Sequence, residues 1–261
     1  MENWYLGTVG FSYKDWDGSF YPQGAPPRSY LAHYSQIFNA VEVDSTFYGT
    51  PPAERVRAWA ASVPAQFKFC PKTPRQITHE ARLLDVAPEM TRFVETVRLF
   101  GGNLGAILIQ LPPSLTAAEF DTVADFLETL PADLSFAIEF RHLSWFTPET
   151  VGMLQSFNVS WASTAYLDLP KQIAITAPFH YIRWLGRHGE FEQKDREQVD
   201  VMPQLEWWWA YLQPVLNRVD TVYGFFNNDF SGHSPATCNR FKELVGLPVT
   251  QPQIPQQGTL F

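Results

Sequence analysis

Short hydrophobic segments alternate with longer amphipathic segments along most of the 261-residue chain. The short segments have the alternating or continuous apolar residues that are typical of β-strands, and the segments between them have apolar residues at helical spacing. By this criterion we predict eight strands: Trp4–Gly10, Ala40–Tyr48, Phe67–Cys70, Ala106–Leu111, Ser135–Phe140, Val159–Ser163, Tyr181–Leu185 and Thr221–Asn227. Strands that alternate with helices favour a parallel sheet with crossover helices.

Local signals mark where several helices begin. Thr116 followed by Glu119 predicts a capping box, and Thr147-Pro148 and Ser234-Pro235 each place a capping residue before a proline at the first helical position. Two further helices are predicted by apolar stripes, the first with Met90, Phe93, Val94 and Val97, the second with Leu205, Trp208, Trp209, Leu212 and Leu216. Pro214 should kink the second of these helices.

The order of the elements predicts an α/β fold, a single TIM-type (β/α) barrel of parallel strands over residues 1–246. Barrels of this kind commonly occupy about 250 residues as one domain. A doubly wound open sheet is the alternative. No helical periodicity is evident in Ala165–Pro178, so one regular helix should be missing between the sixth and seventh strands. Residues 247–261 are rich in Pro and Gln and predict an extended tail.

The composition is that of a folded protein with no overall attraction for polyanions. Hydrophobic residues make up 45% of the chain and charged residues 18%, which excludes a largely disordered protein. The net charge of −8 means that binding to nucleic acid would need a local basic patch. With two cysteines, no leader and no apolar run of membrane length, we expect a cytoplasmic protein without disulfides or membrane contact.

Polar residues occupy the strand positions that are predicted to face the barrel axis. Neighbouring side chains of a strand point to opposite faces, so the residues between the helix-facing apolar positions face inward. These inward residues are Glu42, Asp44, Thr46, Lys68, Gln110, Glu139, Arg141, Arg183 and Asn227. Barrel interiors are usually filled by branched apolar side chains, and unpaired buried charges are costly. The polar ring therefore indicates either a functional site or a charge network that only stabilises the barrel.

Four of the inward residues are the candidate catalytic residues: Glu42, Lys68, Glu139 and Arg183. The two glutamates are candidates for general acid and general base, because their surroundings can keep one ionised and the other protonated. The sequence does not assign the two roles. Lys68 and Arg183 could hold an anionic group or stabilise developing negative charge, so both predict a charged substrate.

The loops that follow the strands add candidate substrate-binding residues, many of them basic. Cations after the third, fifth and seventh strands suggest one basic face, with Lys72, Arg75, His79, Arg82, Arg141, His142, Arg187 and His188. After the eighth strand, the predicted helix start at Gly232–Ser234 offers free N–H groups to a phosphate, unless it is only a turn and a cap. The complete candidate set comprises Asp44, Tyr48, Lys72, His79, Gln110, Arg141, His142, Trp145, Asn227, Asn228, Gly232, His233 and Ser234.

Aromatic residues and histidines in these loops allow further interpretations. Tyr48 and Trp145 could stack on a base or a sugar, or could pack the loops. No cofactor is predicted, because neither an H-E-x-x-H motif nor a phosphate-binding G-x-x-x-x-G-K-[ST] loop occurs. A divalent metal centre would require His79, His142 or His233 to converge with carboxylates.

Several motifs occur in an order that resembles a known family. They are Gly7–Ser12 with Trp16–Pro22, Val41–Tyr48, Lys72 with Ile77–His79, Gln110–Pro113, Glu139–Trp145, Tyr181–Gly186 and Phe225–Asp229. Together they resemble the domain of unknown function 72, or YecE-like, family up to about residue 246. The resemblance implies a TIM-type barrel and no settled activity. The family pattern of Arg, a hydrophobic residue, His and Gly is here Arg183-Trp184-Leu185-Gly186, so no histidine role is expected there.

The last five residues resemble a second known pattern. Gln257, Leu260 and Phe261 match the Gln-x-x-Leu-Phe peptide that bacterial proteins insert into the DNA polymerase sliding clamp. At the end of a Pro/Gln-rich tether, such a peptide could reach a groove and bury two apolar anchors. Alternatively, the two apolar residues fold back onto the barrel.

Three functions are consistent with the sequence. The first is a DNA-associated replication or repair enzyme, a hydrolase or lyase that acts on a phosphate-bearing substrate or nucleic acid and is tethered to the sliding clamp. The second is a small-molecule glycoside or sugar-phosphate hydrolase or lyase, for which paired carboxylates are suited. The third is a non-catalytic binding module associated with the clamp.

Overall fold

The computed structural model describes residues 3–252, which form a sheet of eight parallel strands curved into a barrel. The strand order is β3-β2-β1-β8-β7-β6-β5-β4. The strands are β1 Asn3–Val9, β2 Ala40–Val43, β3 Lys68–Pro71, β4 Ile107–Gln110, β5 Phe136–Glu139, β6 Ser160–Ala165, β7 Phe179–Trp184 and β8 Thr221–Phe226. Each of the eight predicted strands is present and the predicted barrel is confirmed, but the second strand ends at Val43 rather than Tyr48, because Asp44–Tyr48 form a 3₁₀-helix.

The barrel is almost closed between β3 and β4, where isolated contacts replace a continuous ladder. The Gly105 N–H donates to the Phe69 carbonyl, and the Thr73 N–H donates to the Leu108 carbonyl, both at 2.8 Å. A parallel bridge also joins Lys72 to Leu108. These contacts make the open-sheet alternative wrong, because β3 and β4 would then be distant edges. They also bring the residues that follow β3 next to β4.

Helices cover the outside of the barrel except after β6. They are α1 Tyr30–Tyr34, α2 Ala53–Ala61, α3 Ala87–Val97, α4 Phe120–Glu128, α5 Pro148–Ser156, α6 Met202–Leu212 and α7 Ser234–Leu244. As expected, residues 166–178 contain no helix. Side chains hold this segment instead: Thr176 Oγ1 donates to the Val159 carbonyl and accepts from the Trp161 N–H, both at 2.7 Å. Residues 247–252 form no regular element, and the remainder of the predicted tail lies outside the described residues.

Two of the three predicted helix caps are present. Thr116 and Glu119 form the capping box, in which the Glu119 carboxylate accepts from the Thr116 N–H at 2.9 Å. Thr147 Oγ1 accepts from the Thr150 N–H at 3.3 Å. Ser234 does not cap α7, because it is the first helical residue and its hydroxyl donates to Asn228. A 3₁₀-helix follows α6 from Gln213, so Pro214 ends the α-helix rather than kinking it.

Replacement of Thr116 with alanine should lower the free energy of unfolding by about 1 kcal/mol, the usual cost of losing a capping hydroxyl. The matched control is Thr122→Ala inside α4, where alanine is the better helix former and no loss is expected. Urea denaturation of the two variants measures the difference. Equal stabilities would contradict a capping role for Thr116.

The barrel interior has a lower apolar layer and an upper polar layer. Small buried residues, among them Ala40, Cys70 and Ala137, leave room in the lower layer for larger rings. The rings of Tyr181 and Phe225 occupy this space with their centroids 5.3 Å apart. The Tyr181 hydroxyl points to the polar layer above, at the carboxyl ends of the strands. Within residues 3–252, none of the helices is long and apolar enough to cross a bilayer.

Candidate functional site

The polar layer is organised around the guanidinium group of Arg183 on β7. Its Nε donates to Glu42 Oε2 at 2.8 Å and its Nη2 to Glu42 Oε1 at 2.6 Å, so the pair is bidentate. Its Nη1 donates to Glu139 Oε2 at 2.5 Å. The Arg183 side chain is 4% exposed and both carboxylates are fully buried. The inward orientation predicted for these three residues is therefore observed.

Additional hydrogen bonds occupy the two glutamates. The Tyr181 hydroxyl donates to Glu42 Oε2 at 2.9 Å, and Arg141 Nε donates to Glu139 Oε1. Burial opposes ionisation of Glu139, but the charges of Arg141 and Arg183 outweigh it and lower the pKa of Glu139 to about 2. Glu139 is thus ionised at neutral pH. The geometry favours a role for Glu42 and Glu139 in holding Arg183 rather than the acid–base roles expected from the sequence.

Lys68 is not part of this cluster, and its predicted place in the site is wrong. It is the first residue of β3, at the amino-terminal end of the barrel, and its Nζ donates to the Gly102 carbonyl at 2.6 Å. Alternation along a strand indicates which face a side chain takes but not its height in the barrel. The lysine that reaches the cluster is Lys72, directly after β3.

The Lys72 amine is buried at the mouth of the barrel. The residue is 9% exposed, and its Nζ lies 3.9 Å from the centroid of the Phe47 ring. Thr46 Oγ1 positions the Lys72 backbone, accepting from its N–H at 2.9 Å and donating to its carbonyl at 2.6 Å. Burial and the charge of Arg183 lower the pKa of Lys72 to about 8, although Glu42 and Glu139 act in the opposite direction. Roughly one amine in ten is therefore uncharged at pH 7, and the uncharged share reaches about half near pH 8.

Asp44, directly after β2, has a pKa shifted in the opposite direction. Burial and the nearby Glu42 charge raise its pKa, against the attraction of Lys72 and Arg183. The Gly10 backbone lies close to the Asp44 carboxyl group and has a φ of 73°. A Cβ atom added to Gly10 would lie 3.1 Å from both Asp44 Oδ1 and the Tyr13 hydroxyl. Only glycine adopts this backbone without strain, so Gly10 admits both side chains. Tyr13 donates to the Val9 carbonyl at 2.7 Å, and its position in the site was not predicted.

His79 and Gln110 reach the same mouth. His79 Nε2 and Gln110 Nε2 are 3.5 Å apart, and His79 Nδ1 is 2.8 Å from Thr78 Oγ1. Burial and the charge of Lys72 lower the pKa of His79 to about 4, so the imidazole is neutral at pH 7. The Phe47 ring contacts both side chains, with the His79 ring centroid at 4.9 Å and Lys72 Nζ at 3.9 Å from its own centroid. Tyr48, which follows Phe47 in the chain, is 78% exposed.

The predicted phosphate site at the start of α7 is not available. Asn228 Oδ1 accepts from the Ser234 N–H at 3.0 Å, from the Ser234 hydroxyl at 2.8 Å and from Trp16 Nε1 at 3.2 Å. Gly232 is covered by the loop before α6, since a Cβ there would lie 2.6 Å from the Arg196 carbonyl. Asn227 Oδ1 accepts from the Asp229 N–H at 2.9 Å, which is a local turn. The ligand contacts predicted for Asn227, Asn228, Gly232 and Ser234 are therefore wrong. These residues stabilise the loop and the start of α7 instead.

The remaining predicted aromatic and histidine contacts also serve packing. Trp145 is fully buried, donates from Nε1 to the Leu115 carbonyl at 2.9 Å and stacks on Phe140, so it cannot stack on a substrate. His142 Nδ1 accepts from the Ser144 N–H at 3.2 Å, which caps a short turn. His233 is buried beside Trp16. Across residues 3–252, no group of three or more His, Cys, Asp and Glu side chains could hold a metal ion.

Acidic partners neutralise much of the predicted basic face. Arg75 lies 3.0 Å from Glu80, Arg82 contacts Glu119, and Arg187 lies 3.9 Å from Glu190. Arg141 also pairs with an acid, Glu139, but its terminal nitrogens and the Lys72 amine lie at the barrel mouth without an ion-pair partner among residues 3–252. The guanidinium of Arg141 stacks on the Tyr166 ring at 3.8 Å, and Tyr166 was not predicted as a site residue.

The sequence contained a usable signal for one residue that was missed. Tyr181 stands two positions before Arg183 on β7, so the alternation that placed Arg183 inward also places Tyr181 inward. Tyr13 and Tyr166 lie in loops, where no periodicity indicates a direction, and Phe47 lies in the 3₁₀-helix Asp44–Tyr48, which was predicted as part of the second strand. Gln257, Leu260 and Phe261 lie outside the described residues, so clamp binding stays a prediction.

The chain is similar in sequence and structure to proteins from several bacteria. It is 30% identical over 272 residues to UPF0759 protein YunF of Bacillus subtilis, covering 93% of this chain and 95% of that protein. It is 23% identical over 260 residues to UPF0759 protein YecE of Escherichia coli, covering 88% and 92%. A crystal structure of a DUF72 family protein from Thermotoga maritima superposes with a TM-score of 0.82 at 26% identity, covering 94% of this chain and 100% of that chain.

A further crystal structure shares the fold. The DUF72 family protein from Enterococcus faecalis superposes with a TM-score of 0.77 at 21% identity, covering 95% of this chain and 99% of that one. Residues 5–259 match the family model described as "Protein of unknown function DUF72". With the barrel, the motif order and this match over nearly its whole length, the chain belongs to the DUF72 family.

Proposed function

We propose that the protein is an enzyme that moves a proton on a small anionic substrate at the mouth of the barrel, with Lys72 as the acid–base group. The observation that carries the proposal is the buried Lys72 amine beside the Arg183 cluster, with its pKa lowered to about 8. A general base works best when its pKa lies near the operating pH. Burial and a neighbouring cation are the usual means of tuning a lysine in this way.

Arg141 is suited to hold an anionic group of the substrate. Its Nε is bound to Glu139 and its plane rests on Tyr166, which together fix the guanidinium. Between residues 3 and 252, no hydrogen-bond acceptor occupies its two terminal nitrogens. A planar guanidinium with free N–H groups matches a carboxylate, a phosphate or the oxygen of an enolate.

The arrangement supports proton abstraction rather than hydrolysis by two carboxylates. Hydrolysis of the latter kind needs one carboxyl that donates a proton and a second that is free to act as nucleophile or base. Here Glu42 and Glu139 both accept hydrogen bonds from Arg183. In our scheme the neutral Lys72 amine takes a proton from the carbon next to a carbonyl group, and Arg141 stabilises the resulting enolate oxygen. Asp44, with its raised pKa, returns a proton to the substrate or to a leaving group.

A small molecule fits the surface better than a nucleic acid does. Nucleic-acid binding depends on unpaired cations that neutralise successive phosphates. Arg75, Arg82 and Arg187, which would extend the basic face beyond the mouth, pair with glutamates instead. Clamp binding through the last five residues remains a separate proposal and does not depend on the chemistry at the mouth.

Proton abstraction can be detected without knowing the complete reaction. We expect the protein to exchange carbon-bound hydrogen for deuterium in at least one member of a panel of small 2-oxo and 2-hydroxy carboxylates and sugar phosphates, followed by proton NMR in D₂O. The exchange rate should rise as the pH passes through about 8, because the Lys72 amine loses its proton there. A panel that shows no exchange with the wild-type protein would favour a non-catalytic binding module.

The titration of Lys72 itself gives an independent prediction. After reductive methylation with ¹³C-formaldehyde, one dimethyl-lysine signal should titrate near pH 8, well below the range of exposed lysines. The same signal should be absent from Lys72→Met. A Lys72 signal that titrates near pH 10 would mean that the amine is charged throughout the neutral range, and the proposed base would then be wrong.

A further inference from the structure

A cavity of about 800 Å³ lies beside the mouth of the barrel. The loop after β1 lines one side with Gly10 and Tyr13, and α2 contributes Arg55 and Trp59. Asp44 also lines it and, at the same time, interacts with the charges of Lys72 and Arg183. The cavity therefore meets the proposed reaction centre at Asp44. Its volume lies in the range of sites that bind small organic ligands.

Two arginines from separate elements line this cavity. Arg28 precedes α1 and Arg55 lies on α2, and both are exposed. Neither forms an ion pair with any residue between 3 and 252, although acidic residues outnumber Lys and Arg by 27 to 19 in the chain. Two guanidinium groups on one cavity lining, both without an ion-pair partner between residues 3 and 252, leave their N–H donors open to an anionic ligand.

The rest of the lining suits a polar organic molecule rather than a free ion. Trp59 and Phe11 present half-buried aromatic surface, with their rings at 6.2 Å and nearly perpendicular. Ser12 and Ser45 place hydroxyl groups on the same lining. An aromatic wall with a few polar groups beside it is typical of sites that orient a small organic ligand.

We propose that this cavity binds an organic phosphate monoester, with the phosphate group held by Arg28 and Arg55 and the carbon chain directed toward Asp44. Guanidinium groups bind phosphate through paired N–H donors, and two of them match its double negative charge. For the reacting end of the ligand, this assignment rests on the proposed function, which places Lys72 beside Asp44. The phosphate site itself does not depend on catalysis, so binding can test it alone.

Binding of inorganic phosphate, measured by isothermal titration calorimetry with the full chain, tests the site. Arg28→Ala and Arg55→Ala should each weaken phosphate binding about tenfold or more, which corresponds to about 1.4 kcal/mol for the lost charged hydrogen bonds. The matched control is Arg57→Ala, an exposed arginine on the same helix that does not line the cavity. All three residues are exposed, so the thermal midpoint should not change. Malonate, a dicarboxylate, serves as the second probe and should bind more weakly than phosphate.

The outcomes separate this inference from the proposed function. Absence of phosphate binding, equal weakening by Arg57→Ala, or tighter binding of malonate would each overturn the phosphate assignment. Deuterium exchange that the wild-type protein catalyses and Lys72→Met does not would then leave the role of Lys72 intact. Phosphate binding that depends on Arg28 and Arg55 in a protein without exchange activity would support the site and contradict the proposed function.

Discussion

Replacement of Arg183 with methionine is expected to lower the free energy of unfolding by about 3–5 kcal/mol, the usual cost of removing one partner from a buried ion pair. The substitution leaves the fully buried Glu42 and Glu139 without the group that accounts for three of their hydrogen bonds. Arg141 still contacts Glu139, but among residues 3–252 the Glu42 carboxylate keeps only the hydrogen bond from the Tyr181 hydroxyl. The lost charge compensation dominates, because methionine is similar in volume to the side chain that it replaces.

Urea denaturation at pH 7 measures this effect, with Arg218→Met as the control. Arg218 is exposed, and its substitution should change the stability by less than about 0.5 kcal/mol. If Arg183→Met does not fold, Tyr181→Phe provides a milder test, since loss of the hydrogen bond to Glu42 should cost about 1.5–3 kcal/mol. An Arg183→Met variant as stable as the wild type would show that the cluster is dispensable for folding.

Replacement of Lys72 with methionine is expected to slow deuterium exchange about 10²–10⁴-fold, the usual contribution of a general base. The same variant should be at least as stable as the wild type at pH 7. The folded pKa of Lys72, about 8, lies below its ordinary value of 10.5, so the charged amine is disfavoured by folding. Between these two values the unfolded chain binds more protons, and the contribution of Lys72 to stability rises with pH. Methionine removes the unfavourable charge.

Lys68→Met is the matched control for this substitution. Lys68 has the same side chain and begins the strand that Lys72 follows, but its Nζ binds the Gly102 carbonyl at the opposite end of the barrel. We expect it to keep the wild-type exchange rate. Loss of exchange in Lys68→Met together with normal exchange in Lys72→Met would contradict the assignment. A Lys72→Met protein that is inactive because it is unfolded would also contradict it, since the structure predicts no loss of stability.

The elements and the inward faces of the strands could be predicted because they depend on neighbouring residues along the chain. A strand repeats every two residues, so the apolar residues beside Glu42, Glu139 and Arg183 were sufficient to place these charges in the barrel. The capping box at Thr116 is equally local, since both partners lie within one turn. Family resemblance added support for the same barrel and did not change which residues face inward.

The height of each residue and the identity of its distant partner were decided only in three dimensions. The stagger of strands in a barrel sets which positions share a level, and alternation within one strand contains no information about it. For this reason Lys72 rather than Lys68 reaches Arg183. Likewise, nothing near Ser234 indicates that Asn228 occupies its N–H, and nothing near Arg75 or Arg82 requires that glutamates neutralise them. The chain determined its strands and their faces locally, whereas packing of remote segments determined which charges remain free for a ligand.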